Sequence, residues 1–509
     1  MIPVVLADTM RALDAYMTKE RHIPSLLLME NAAFGVTSAV AARFDRGTRV
    51  VALCGPGNNG GDGFAAARQL KTMGYRVTVL LAGRADALKG HAAVNAAYFG
   101  ADIIEIQNDA DIRVWLSDMR DCALIDALLG VGLSRAVEGF YAEIAEAVNR
   151  SGAYVVAVDI ASGVDADTGA VLGCAIRADE TVTFQCAKPG HLLYPGRGLT
   201  GRLSVKEIGT AEGFCGDFME APETLALPSR RSDTHKGSFG KLAVVAGSQG
   251  FSGAAVMCTE AALRSGAGLV TAGLPACLQA AFSPALPEAM TFALDEADGA
   301  LSERCVPGLE RLLTGKTALA CGPGLGTGSG AAAAVRHLVT CYDIRKVFDA
   351  DALNLIARDT AMLREKQGDI VLTPHPVEFS RLCGLPPEAV REDAIGSAKR
   401  FAAEYGVTLL LKGATSIVTD GQRVAFVTQG SPGMARGGSG DVLTGVIAGL
   451  LAGGREGGMD GFDAALTGAY ICGKAGEAAA AELGELSMTA RDTLRHVPEV
   501  TKAMMRLPV

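Results

Sequence analysis

From residue 49 onward the chain repeats one pattern: a short apolar run, a glycine-rich turn, then a longer stretch with helical periodicity. The runs at 49–54, 76–82, 102–106, 122–126 and 154–159 are continuously apolar rather than alternating. That predicts strands of a parallel sheet covered on both faces. Shorter β-like pieces at 181–184 and 203–207 close this half. Ahead of it, 8–19 and 24–44 read as helices, the second with Leu26, Leu27, Met29, Ala33 and Val36 as its stripe. A second series has strands at 241–246, 269–273, 317–321, 346–349 and 369–373, then a late group at 407–411, 416–419 and 423–427. Helices at about 252–265 and at 328–341, 388–405, 441–453 and 461–482 fill the intervals. Residues 209–235 show no sustained period, and a domain boundary is expected there. The expected fold class is α/β, with two domains at 1–215 and 225–509, each a mostly parallel sheet flanked by helices.

Composition narrows the class. A length of 509 residues suits two or three domains, and 63 glycines stand well above the usual share. The net charge of −9, without a long basic run, argues against a nucleic-acid partner. Twelve cysteines lie scattered with no C-x-x-C pair, which suits reduced thiols in the cytoplasm. No stretch approaches the length of a signal peptide's apolar core or a membrane span, so no membrane partner is expected.

The loop Gly55 to Gly63 follows the first strand, where an α/β sheet binds ligands, and is expected to open a helix at Phe64. It has neither the dinucleotide glycine spacing in its usual context nor the lysine of a phosphate-binding P-loop. Asn58 and Asn59 add amide groups able to hold a cation or a phosphate oxygen. Asp126 and Asp159 end two further strands, and Ser162 follows closely. Taken singly, each carboxylate would be a helix cap. Together they offer oxygen donors that suit a hard cation better than zinc or iron.

The stretches GPGNNGGDG, IDALLGVGLSR and VAVDIASGVDADTG resemble the YjeF N-terminal domain, an epimerase of hydrated nicotinamide cofactors, over roughly residues 1–215. The resemblance implies substrate contacts at Asn58, Asn59, Gly60, Gly61 and Asp62, at Gly130, Val131, Gly132, Leu133, Ser134, Arg135 and Ala136, and at Asp159. It implies a potassium ion (K+) held by Asn59, Asp126 and Ser162, with Ala161 standing where the family usually has proline. Inverting a hemiaminal carbon requires reversible loss of water or ring opening, and Asp159 is the candidate acid/base.

In the second half, Gly437 to Gly445 precedes an apolar helix whose Val442, Leu443, Val446, Ile447, Leu450 and Leu451 make one buried face. Free N–H groups at that helix start form an anion site, and Asp441 stands beside it. It could be a plain cap, or a base beside a transferring phosphate. Lys412 ends another strand and suits a phosphate.

Residues 225–505 resemble the ribokinase-like C-terminal domain of YjeF, the NAD(P)HX dehydratase. The resemblance implies nucleotide contacts at Lys412, Gly413, Ala414, Thr415, Ser416, Gly438, Ser439 and Gly440. It implies hydrate contacts at Ala254, Gly324, His375, Glu378, Arg381 and Asp441, with Asp441 catalytic. The implied reaction phosphorylates the C6 hydroxyl of the S-hydrate and expels phosphate. ADP with Mg2+ is the expected donor, ahead of ATP, and NADHX and NADPHX are the substrates. A homo-oligomer is expected. A small-molecule kinase would share the Gly-x-Gly-Asp loop, but would have no use for a fused hydrate epimerase. A non-catalytic module would lack Asp441, Asp159 or Asn59, and all three are present.

Overall fold

The computed structural model describes residues 1–209, 212–227, 230, 232–453 and 459–505. The chain divides into two compact units, Ile2–Met219 and Glu220–Val509. Residues 210, 211, 228, 229 and 231 of the expected boundary, and the C-terminal residues 506–509, lie outside the described residues.

The first unit has seven parallel strands: β1 (Arg49–Cys54), β2 (Arg76–Ala82), β3 (Ile103–Ile106), β4 (Cys122–Ala127), β5 (Tyr154–Val158), β6 (Glu180–Phe184) and β7 (Arg202–Lys206). Their order is β3-β2-β1-β4-β5-β6-β7, so the direction of winding reverses between β1 and β4. Val50, Ala52 and Cys54 join one apolar core while Val51 and Leu53 join the other, which is why the strands read as unbroken apolar runs. Helices α1 (Ala7–Lys19), α2 (Ser25–Arg43) and α3 (Asn58–Thr72) contribute to one of these cores. On α2 the buried stripe is Leu28, Met29, Ala32, Ala33, Val36 and Val40. Leu26 and Leu27, expected within it, are exposed. By length and composition α2 could cross a membrane, but half of that window is buried inside the protein.

The second unit is built on β8 (Lys241–Val245), β9 (Leu269–Pro275), β10 (Met290–Leu294), β11 (Ala318–Cys321), β12 (Arg345–Phe348), β13 (Ile370–Leu372), β14 (Thr408–Leu411), β15 (Ser416–Thr419) and β16 (Val424–Val427). Their order is β16-β15-β14-β13-β12-β11-β8-β9-β10. Pairing is parallel from β14 to β10 and antiparallel through β14, β15 and β16. Strand β10 was not predicted, because it is half-exposed and lacks a continuous apolar run. The helix expected over 388–405 breaks at Asp393, whose carboxylate accepts from the Gly396 N–H at 3.0 Å and caps the following piece.

The helices used below are α4 (Ser252–Arg264), α5 (Asp351–Ile356), α6 (Pro376–Cys383), α7 (Ser439–Ala452) and α8 (Gly461–Leu483). Buried residues surround most of α7, including Thr444, Gly445, Ala448 and Gly449, rather than forming a single face. Leu450, expected on that face, is only partly buried.

Candidate active sites

The first unit holds a crevice of about 1090 Å³ beside the point where the sheet reverses its winding. Helix α3 begins at Asn58, six residues before the expected start at Phe64. Its glycines therefore serve close packing. A Cβ at Gly60 would stand 1.9 Å from the Gly55 carbonyl oxygen, and one at Gly63 would stand 2.5 Å from Ala127 Cβ. Asn58, Asn59, Asp62, the run Gly130 to Ala136, and Asp159 all line the crevice. Gly60 and Gly61 do not. They are buried in α3, against Gly55 and Met29 respectively.

Beneath this wall Ser162 Oγ donates to Asp126 Oδ1 at 2.6 Å, and the Ser162 N–H donates to Asp126 Oδ2 at 2.9 Å. The Leu129 N–H donates to Ser162 Oγ at 2.8 Å, and Asn59 Nδ2 donates to the Leu129 carbonyl at 3.0 Å. Ser162 is thus firmly placed with Ala161 before it. Asp126 is fully buried, and the donors to its carboxylate, Ser162 and the Leu128 N–H, are neutral. Burial pushes its carboxyl up to about 6 against those hydrogen bonds. The Asp126 carboxylate, the Ser162 hydroxyl, the Leu129 carbonyl and the Asn59 amide are linked in one hydrogen-bonded run of oxygen donors, a set whose chemistry suits a hard cation.

Asp159 follows β5 in a left-handed backbone conformation, φ +66°. Its Oδ1 accepts from Lys188 Nζ at 2.5 Å and from Thr183 Oγ1 at 2.8 Å. The Lys188 N–H donates to His191 Nδ1 at 3.0 Å, so His191 Nε2–H donates to the Asp159 carbonyl at 2.8 Å. Burial, then the Lys188 charge, push His191 down to about 4. Burial alone would raise Asp159, but the Lys188 ammonium and the hydrogen bonds from Lys188 and Thr183 hold it below the ordinary carboxylate value.

The second unit gathers its candidates at the carboxyl ends of the parallel strands. Asp349 follows β12 and is 1% exposed. One of its oxygens accepts from Lys412 Nζ at 2.7 Å and the other from Thr444 Oγ1 at 2.8 Å. Glu378 Oε2 lies 3.9 Å from the same Lys412 ammonium and accepts the His375 N–H at 2.8 Å. Burial pushes Glu378 up, with Lys412 opposing. Helix α7 starts at Ser439, two residues before the expected start, so Ser439, Gly440 and Asp441 form its first turn. Gly440 rests on the ion pair: a Cβ there would stand 3.3 Å from Asp349 Oδ2 and 3.6 Å from Lys412 Nζ. Burial, then Asp349, push Asp441 up to about 6, and Lys412 opposes them.

Gly324 and Ala254 are neighbours, a Cβ at Gly324 falling 3.1 Å from Ala254 Cβ. His375 caps α6, its Nδ1 accepting the Val377 and Glu378 N–H groups. Arg381 reaches Asn354 Oδ1 at 2.7 Å and borders a separate hollow of about 560 Å³ that none of the other expected contacts line. Gly413 to Ser416 form the turn from β14 into β15, with the Gly413 N–H 3.4 Å from Ser416 Oγ.

A family model described as NAD(P)H-hydrate dehydratase matches residues 242–499, and one described as YjeF-related protein N-terminus matches 25–190. The bifunctional NAD(P)H-hydrate repair enzyme of Moorella thermoacetica is 38% identical over 98% of this chain and 96% of its own. That of Thermofilum pendens is 35% identical over 98% and 96%. The chain belongs to the family of bifunctional NAD(P)H-hydrate repair enzymes. It is a hydrate epimerase and dehydratase in one polypeptide, with the YjeF-type unit first and the dehydratase unit second. Among solved structures, the ADP/ATP-dependent NAD(P)H-hydrate dehydratase of Bacillus subtilis is 29% identical, with a TM-score of 0.46, over 55% of this chain and 95% of that one.

Sequence reasoning missed Lys188 and Asp14, which line the crevice of the first unit. Lys188 follows a short β-like run inside Lys188-Pro189-Gly190, and a charged residue before a proline turn was its only signal. Asp14 is one polar position of an amphipathic helix, which ordinarily marks a solvated face.

Proposed function

We propose that Asp159 is the acid/base residue of the epimerase and Asp441 the base of an ADP-dependent dehydratase, with the two activities residing in 1–215 and 225–509. The observation that carries the first assignment is the clamp on Asp159. Lys188 and Thr183 occupy Oδ1, leaving Oδ2 for the hydrate. Arg135 and the backbone from Gly130 to Ala136 line the crevice at a position suited to the cofactor's phosphates. Asp126, Ser162 and Asn59 would hold potassium, which would supply the positive charge that buried Asp126 lacks and steady the loop after β4.

In the second unit, Lys412 and the α7 N-terminus meet at one point and favour a phosphate there. Nucleotide contacts fall on Lys412 to Ser416 and Gly438 to Gly440. Hydrate contacts fall on Ala254, Gly324, His375, Glu378 and Asp441, while Arg381 stands at the separate hollow and is engaged with Asn354. Asp441 takes the proton of the C6 hydroxyl as it attacks the terminal phosphoryl group of ADP. Phosphate then departs from C6 with the electrons of the C6–O bond as the ring nitrogen donates its lone pair, and loss of a proton from C5 to solvent forms C5=C6 and returns the pair to nitrogen. Hydroxide is a poor leaving group and phosphate a good one, so a kinase fold serves a dehydration. Mg2+ would screen the nucleotide's charge, and Glu378 is a carboxylate beside Lys412 available to it. The twelve unpaired cysteines suit the cytoplasm.

Incubating an R/S hydrate mixture with ADP, with ATP and with neither tests both halves. Complete recovery of reduced cofactor with ADP is expected. Recovery of half the mixture would mean an inactive epimerase, and turnover with ATP alone would reverse the donor assignment.

A further inference from the structure

Inversion at C6 through loss and re-addition of water moves two protons. The departing hydroxyl must gain one, and the incoming water must lose one. Asp159, paired with buried Lys188, is built to accept. A donor must come from elsewhere in the crevice. Asp14, on α1, lines the same crevice as Asp159 and Lys188. Among the described residues its carboxyl has neither a hydrogen bond nor an ion pair, interacting with Lys188 and Asp159 only through space. The other titratable or charged groups sharing the crevice include Arg11 on its own helix, Asp62 on α3, His91 and Arg135. His91 is engaged with Ser25 Oγ at 3.1 Å.

We propose that Asp14 is the second catalytic residue of the epimerase, donating a proton to the departing C6 hydroxyl while Asp159 accepts one from the water that re-adds; this rests on the epimerase reading of the crevice. In the first step the Asp14 O–H proton moves to the hydroxyl oxygen. The C6–O bond breaks with its electron pair on oxygen, and the N1 lone pair closes a C6=N1 double bond as water leaves. In the second, water attacks C6 from the opposite face, Asp159 Oδ2 takes its proton, and the C=N pair returns to N1. Crevice water then carries the proton from Asp159 back to Asp14. The environment agrees with these roles. Asp14 keeps an exposed surface in the crevice, and loss of water around its carboxyl pushes it up to about 6, with Lys188 opposing and Asp159 adding. That is close to the working range, as an acid that must lose and regain its proton requires. Asp62 is pushed well above the ordinary value, by burial, then Asp159 and Asp14.

The test measures R-to-S interconversion by the full chain without nucleotide, as a function of pH. Asp14→Asn is expected to lower kcat at least about 100-fold, leave KM within about threefold and abolish the basic limb of the kcat profile. Asp14→Glu is expected to stay within about tenfold of the unsubstituted protein and keep that limb. Dehydration of S-hydrate with ADP should be unchanged in both. Retention of the basic limb in Asp14→Asn, or its loss in Asp62→Asn instead, would overturn the proposal. If Asp159→Asn abolishes epimerisation and Asp14→Asn does not, only the role of Asp14 fails. If neither substitution matters, the epimerase reading of the crevice fails with it.

Discussion

Lys412 Nζ lies 2.7 Å from Asp349 Oδ1, and Thr444 Oγ1 occupies the other oxygen of that carboxylate at 2.8 Å. Both oxygens of Asp349 are therefore committed, and the carboxylate holds the ammonium against the first turn of α7. Asp349→Asn removes one partner of a largely buried pair and leaves Lys412 between a neutral amide and Glu378. The expected stability loss is about 3 kcal/mol, with KM for the nucleotide raised about tenfold. Denaturant unfolding and steady-state kinetics with ADP check the two parts separately.

Asp441 provides a pH dependence with a definite sign. As a base it works only when ionised, and burial together with Asp349 pushes it up to about 6. Dehydration should therefore fall as pH drops through about 6 and level off above it. Asp441→Asn should lose about 10²–10⁴-fold in kcat and flatten that limb. Asp349→Asn removes the charge that raises Asp441, so its limb should shift to lower pH. A pH profile of kcat for the three proteins decides.

Much of this was legible in the sequence because parallel strands buried on two faces leave unbroken apolar runs, as 49–54 does with Val50 and Val51 facing opposite cores. Residues at the ends of such strands, among them Asp126, Asp159 and Lys412, could be placed near ligands by that rule alone. Asp14 could not. Its polarity is what any exposed helix position shows, and only the packing of α1 brings it to the crevice. Lys188 is fully buried, against the ordinary expectation for lysine, because Asp159 and Thr183 receive its ammonium. Gly60 and Gly61 pack against Gly55 and Met29, and in sequence a glycine needed for packing looks the same as one needed by a ligand.

Ser162 links Asp126 to the loop after β4 through hydrogen bonds of 2.6 Å to Asp126 and 2.8 Å from the Leu129 N–H. Ser162→Ala deletes one oxygen from the proposed potassium site while leaving the Asp126 charge. Epimerisation titrated with KCl, at ionic strength fixed by choline chloride, should saturate for the unsubstituted protein. The variant should need at least about tenfold more KCl, equivalent to roughly 1.4 kcal/mol of lost binding. Equal KCl curves would remove Ser162 from that role.

Gly445 lies in the segment that carries Asp441, and its importance lies in what it touches. A Cβ there would stand 2.1 Å from the Cys258 carbonyl oxygen and 2.6 Å from Ala261 Cβ, both on α4. A backbone carbonyl inside a helix cannot yield, so Gly445→Ala must push α7 away from α4. The displacement shifts Asp441 and the first turn of α7 relative to Lys412. The expected cost is about 1–3 kcal/mol of stability, together with a fall in dehydration rate. Gly437 is the contrast: no atom lies within 4 Å of a Cβ placed there, and its φ does not require glycine. Gly437→Ala should stay within about 0.5 kcal/mol of the unsubstituted protein. Denaturant unfolding of both variants, with dehydration measured alongside, separates close helix packing from a general need for glycine around the loop. Equal stability of the two variants would show that α7 and α4 tolerate the added methyl group.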